Sequence, residues 1–124
     1  MPQAPQPSQL GPSRTAFWCE RVVYETLDSD SRIHISRCSM PNPAEAIRAI
    51  RVDVRALTDT LAPVERDRTL RWTGYGGSVG AVAALHRGEP CGFSLSSEGR
   101  WIEWTVRPYP VSDVSDASSR PARQ

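Results

Sequence analysis

Few side chains in this sequence can do chemistry. They are three cysteines (Cys19, Cys38, Cys91), two histidines (His34, His86) and a glycine-rich stretch from Gly74 to Gly80. His34 and Cys38 lie on an alternating stretch. Four residues apart at strand rise, they are separated by about 13 Å, too far to share one ion. No Cys-x-x-Cys or His-x-x-x-His spacing occurs, so no metal site is expected. A cysteine nucleophile needs a base within reach, and Cys91 with His86 or Cys38 with His34 are the pairings on offer. Cys91 falls on an expected core face, where a thiol acts as a small apolar group. His86 falls near a helix end, where imidazole caps carbonyls or meets solvent. The close carboxylates Glu65 and Asp67 are interleaved with arginines and read as a solvated face. No constellation of a working active site results, and an enzyme is not the expected reading.

Gly74, Gly76, Gly77 and Gly80 precede a helical pattern, as a phosphate-binding loop would. Dinucleotide spacing would need glycine at 79, where Val79 stands. All 15 basic residues are arginine, and lysine is absent. This removes a phosphate-loop lysine, a Schiff base and a pyridoxal-phosphate anchor. No cofactor is expected. The glycines read as a joint or tight turn, and a small-ligand or enzymatic site near Gly74 to Ser78 ranks third among functions. Lysine codons are A-rich, so the missing lysines point to a bacterial, high-GC genome.

Arginines also suggest nucleic acid. Arg48, Arg51 and Arg55 recur at helical spacing, and Arg66, Arg68 and Arg71 follow. Setting aside Arg14, Arg120 and Arg123 leaves 12 arginines in residues 15–109, against 12 acids once Asp113 and Asp116 are set aside. A neutral folded unit lacks the positive excess of a nucleic-acid module. In the long helix Glu45, Asp53 and Asp59 match the three arginines in number, and Glu45 with Arg48 and Arg55 with Asp59 stand at surface-pair spacings. A nucleic-acid-associated regulator is the alternative reading, behind protein binding.

Protein binding rests on four tryptophans in 124 residues. Trp104 and Trp18 are assigned to the core. Trp101 falls on a polar strand face with Glu103 and Arg107, and Trp72 follows a charged run. Tryptophan and arginine dominate interface hot spots. Trp101, Glu103, Arg107 and Trp72 are therefore the expected contact residues of a small non-enzymatic protein-binding module, an accessory, regulatory or immunity-type partner.

Residues 16–27 and 32–39 read as a β-hairpin across the turn formers Asp28 to Ser31. Pairing Leu27 with Arg32 sets Tyr24 opposite Ile35, Thr26 opposite Ile33 and Glu25 opposite His34. That register makes Trp18, Val22, Tyr24, Ile33 and Ile35 the core face. Asn42-Pro43-Ala44-Glu45 is a helix start, with a cap, a proline and a carboxylate in order. Ile47, Ile50, Val54, Leu57 and Leu61 form one stripe, which Pro63 ends. Residues 63–72 admit helix, strand or loop. Residues 78–87 read as a short helix capped by Ser78 and closed by Gly88. The last unit is a hairpin, 91–97 with 100–107. Pairing Ser97 with Arg100 puts Leu95 opposite Ile102, Phe93 opposite Trp104 and Cys91 opposite Val106 on one face. Pro108 and Pro110 close it.

The expected class is α+β: an antiparallel sheet from two hairpins, with one long amphipathic helix and a shorter helix on one face, in the order β-β-α-(α)-β-β. A single domain over 15–109 is flanked by a Pro/Gln-rich tail (1–14) and a Ser/Pro-rich tail (110–124). Both tails lack the apolar content to order themselves. No run suits a membrane span, and residues 1–13 lack the basic start and apolar middle of a signal peptide. A cytoplasmic protein with reduced thiols is expected. A symmetric homodimer that extends the sheet is compatible with the pattern and not required by it.

Overall fold

The computed structural model describes residues 13–26, 31–74 and 76–112. Most of both expected tails, and all but Ser31 of the turn expected at 28–31, lie outside the described residues. The elements are β1 (Ser13–Tyr24), β2 (Arg32–Met40), α1 (Pro43–Ala56), α2 (Pro63–Gly74), α3 (Gly77–His86), β3 (Cys91–Ser97) and β4 (Arg100–Ser112). A 3-10 turn, Thr58–Thr60, joins α1 to α2. The class is α+β, with both hairpins in one antiparallel sheet of strand order β2-β1-β4-β3. The helices cover one face of that sheet.

The second hairpin has the expected register, Ser97 with Arg100 through Cys91 with Val106. Glu98 and Gly99 turn it, both at positive φ. Pro108 and Pro110 do not end β4, which pairs with β1 as far as Ser112. β3 begins opposite Val106, so beyond it β4 has a neighbour on one side only. Proline is tolerated at such an edge, where its missing N–H costs no ladder bond.

The first hairpin corrects two expectations. Val22 opposes Ile35, Val23 opposes His34, and an irregularity places Tyr24 opposite Arg32. The pairing is thus displaced by two residues from the one expected, which leaves every side chain on its face. The face chosen for the core is the opposite one. Phe17 and Cys19 are core residues, with Val23 packed against them. The cause is non-local: β1 pairs with β4 along its whole length, setting Cys19 beside Val106 and Val23 beside Ile102. The second hairpin's apolar row therefore selects which side of β1 is buried. Trp18, Val22 and Tyr24 align instead with Arg107, Glu103 and Trp101.

α1 begins as its sequence dictates. The Asn42 side chain accepts from the Glu45 N–H at 2.9 Å and donates to the Glu45 carboxylate at 2.9 Å. Ala46, Ile47, Ile50 and Val54 face the sheet. Complete burial of side chains such as Ile47 and Val54 contributes about 1.5–3 kcal/mol each. The helix stops at Ala56, short of the expected Pro63. The Thr60 hydroxyl bonds back to the Leu57 carbonyl at 2.7 Å, and the Thr60 and Leu61 N–H groups make the short i→i+3 bonds of a 3-10 turn. Leu61 still reaches the core from this turn, and Pro63 starts α2.

α2 buries Thr69 and Thr73 while exposing Val64 and Leu70. It also closes one sheet edge. The Glu65 carboxylate accepts from the Ser96 N–H at 2.7 Å, and Arg68 donates to the Ser94 carbonyl. These side chains occupy groups that edge strand β3 would offer to another strand. α3 starts at Gly77 after Gly76 in the left-handed region, so Ser78 is not its cap but a buried residue of the first turn. Gly88, at φ +83°, follows its end as expected. Among the described residues no helix is long and apolar enough to cross a membrane.

Candidate functional site

Alternation along β1 and β4 places half of their side chains on the sheet face that, among the described residues, carries no helix. Successive cross-strand rows there read Ala16–Tyr109, Ser39–Trp18–Arg107, Arg37–Glu20–Thr105, Ile35–Val22–Glu103 and Tyr24–Trp101. Two aromatic clusters result, one at each end. At one end Tyr109 and Trp18 meet edge to face, with centroids 6.1 Å apart. The Tyr109 hydroxyl shares a 2.8 Å hydrogen bond with Ser39, two strands away. The phenol therefore crosses β1 at Ala16, whose small side chain leaves room and is itself buried. At the other end Trp101 and Tyr24 are cross-strand neighbours, each half-buried.

The polar groups between the clusters are ordered. The Trp101 indole donates to the Glu103 carboxylate at 2.9 Å. Arg37 and Glu20 form a 2.6 Å ion pair. Arg107 is half-buried and is itself engaged in an interaction. β3 adds only Gly92, Ser94 and Ser96 to this face. A Cβ at Gly92 would strike the Trp104 carbonyl. The face thus presents aromatic and aliphatic surface bounded by two acids, Glu20 and Glu103, and two arginines, Arg37 and Arg107.

Of the residues expected to make protein contacts, Trp101, Glu103 and Arg107 lie together on this face. Trp72 lies on the helix-covered side. It stacks on Phe93, with centroids 4.7 Å apart, and the Arg68 guanidinium sits 4.9 Å from the same ring's centroid. Trp18, Val22, Tyr24 and Tyr109 were not among the expected contacts. The signal of the first three was present in the alternation of β1, but apolar residues occur at both parities there, so the two faces could not be told apart locally; Tyr109 lies on β4 beyond Pro108, where the hairpin was expected to end.

The arginines of the nucleic-acid reading do not form one stripe. Arg66 donates to the Thr58 carbonyl, Arg68 is held by Glu65 and Ser94, and Arg71 pairs with Asp67 at 3.2 Å. Arg48 and Arg51 line a hollow of about 230 Å³ with Ser78 and Val79. Arg55 lines a separate one of about 460 Å³ with Leu70, Thr73 and Gly74. Asp53 turns to the sheet, accepting from the Trp104 indole at 3.1 Å and facing Arg21 at 3.7 Å. A third hollow, about 420 Å³, flanks the glycine joint between Arg68, Arg71, Trp72, Gly77 and Phe93. Among the described residues no group of three or more His, Cys, Asp or Glu could hold a metal ion. Comparison with protein families, curated proteins and solved structures finds no match to the chain.

Proposed function

We propose that the protein is a binding module for another protein and that the helix-free sheet face is its contact surface. One observation carries this reading. Trp18, Tyr24 and Trp101 remain partly accessible on one face, with Val22 and Ile35 between them, while the core is completed on the other. Rigid aromatic side chains beside an arginine and a carboxylate are the residue types of interface hot spots. The reading carries with it an accessory, regulatory or immunity-type role in the cytoplasm, where free thiols stay reduced. Nucleic acid ranks second because its six arginines are divided between separate hollows and internal contacts. A second copy of the chain would add through β2, since β3's edge is occupied by Glu65 and Arg68.

The test compares a tagged chain with its Trp101→Ala variant in quantitative capture from the source cell. Val79→Ala, exposed on α3, serves as the control. Loss of a hot-spot tryptophan costs at least about 2 kcal/mol, roughly thirtyfold in affinity. The partner should be lost from Trp101→Ala and kept by Val79→Ala. Equal recovery by both variants would remove this face from the function. Light scattering on the purified chain reports self-association separately.

A further inference from the structure

The three cysteines stand in one row across the helix-covered face. Cys38 on β2 opposes Cys19 on β1, Cys19 opposes Val106 on β4, and Val106 opposes Cys91 on β3. All three are free thiols. Val106 separates Cys91 from the others, whereas Cys19 and Cys38 are immediate neighbours. Directly opposed residues of an antiparallel pair have Cα atoms about 4.5–5.5 Å apart. A disulfide needs about 4.4–6.8 Å, so the backbone already satisfies it. The two thiols differ in access: Cys38 is exposed and Cys19 is buried.

We propose that Cys19 and Cys38 are a two-electron redox pair, which a small-molecule disulfide converts into one cross-strand bond joining β2 to β1. The exposed Cys38 thiolate attacks one sulfur of the reagent R–S–S–R. That S–S bond breaks, RS⁻ leaves and takes a proton from solvent, and a mixed disulfide remains on Cys38. Cys19 loses its proton to solvent and its sulfur attacks the Cys38 sulfur. The Cys19–Cys38 bond forms and the second RS⁻ departs. The protein gives up two electrons and two protons, and the reagent becomes two RSH.

The environment sets the order of the steps. Burial, then the Cys38 thiol by charge and hydrogen bonding, with a smaller push from Cys91, drives the Cys19 thiol up to about 12. Cys19 is therefore the resolving thiol and not the first attacker. Its thiolate fraction rises up to tenfold per pH unit below that value, and closure should accelerate accordingly. The bond would pin the outer strand of the sheet to a central one. It requires nothing of whatever occupies the opposite face.

The experiment incubates the unmodified chain with oxidised glutathione at pH 7, 8 and 9, followed by thiol counting and peptide mapping by mass spectrometry. Two of the three thiols should disappear with the loss of two hydrogens, in a linked Cys19–Cys38 peptide pair. Closure should quicken severalfold to tenfold per pH unit. Cys19→Ser should stop at a glutathione adduct on Cys38, and Cys91→Ser should behave as the native chain does. The mapping on the unmodified chain needs no variant to fold. A persistent glutathione adduct on native Cys38, a Cys38–Cys38 link between two copies, or survival of all three thiols would each overturn the pair.

Discussion

Thr69 is fully buried on α2, and its hydroxyl has no partner among the described residues. A buried hydroxyl left without a hydrogen bond costs about 1–3 kcal/mol. Thr69→Val keeps the branched shape and removes the oxygen. The variant should be about 1 kcal/mol more stable in urea unfolding, and a loss of stability would point to a partner for that hydroxyl. Glu65 is a charged counterpart at the same helix. Burial pushes its carboxyl up, but the hydrogen bond from Arg68, the Ser96 N–H and the Arg68 charge together outweigh burial and hold it below the ordinary value. A carboxyl depressed in the folded state adds stability above its unfolded value of 4.5 and loses it as pH falls through the folded value. Glu65→Gln should therefore cost about 1 kcal/mol at pH 7. The gap to the native chain should narrow steadily below pH 4.5. Unfolding curves at pH 7 and pH 3 check this, and a gap of constant size would separate the effect from the charge.

At the scale of elements, the joint between α2 and α3 depends on one missing side chain. A Cβ at Gly77 would lie 2.8 Å from both the Cα and Cδ1 of Trp72. The Trp72 backbone cannot simply swing aside, so Gly77→Ala should displace the indole from Phe93 and cost about 1–3 kcal/mol, as overpacking does. Near-ultraviolet circular dichroism and urea unfolding report the two effects; an unchanged aromatic signal with native stability would show that the joint yields freely. The same elements explain what the sequence disclosed. The start of α1 was legible because its cap, proline and carboxylate act within four residues. The second hairpin was legible because its turn at Glu98-Gly99 sets a register that puts Leu95, Ile102, Phe93 and Trp104 on one face, and a one-residue slip would separate them. α2 was not, because the residues it buries are Thr69 and Thr73 while Val64 and Leu70 face outward. Its apolar pattern carries no helical period to read. The side of the first hairpin that faces the helices was hidden for another reason. Phe17, Cys19 and Val23 compete with Trp18, Val22 and Tyr24, and the choice is made by a strand far along the chain. Of the candidate site, Trp101, Glu103 and Arg107 were visible from the second hairpin alone, but the aromatic residues that β1 adds beside them were not.

For the whole molecule, the two sides of the sheet predict opposite responses to losing a tryptophan. Trp104 is almost entirely buried and its indole is bonded to Asp53. Trp104→Ala should cost about 3–5 kcal/mol, enough to unfold much of a domain with marginal stability. Trp101→Ala should cost far less while abolishing capture of the partner. Thermal melts of the two variants decide this, and similar melting points would mean that the helix-free face is a second core. The seam between β1 and β4 has a consequence in time. Each hairpin joins strands close in sequence, but the seam joins Ser13 to Ser112 and Tyr24 to Trp101. Loop closure across such a separation must precede any gain from the contacts, which places this fold among the slower small domains, in the range of about milliseconds to seconds. Until the seam closes, β1 and β4 are themselves edges, long and apolar on one side, and chains whose seam is still open can pair with one another. Refolding yield should fall as protein concentration rises, while the native state, with that seam at its centre, stays indifferent to concentration over the same range.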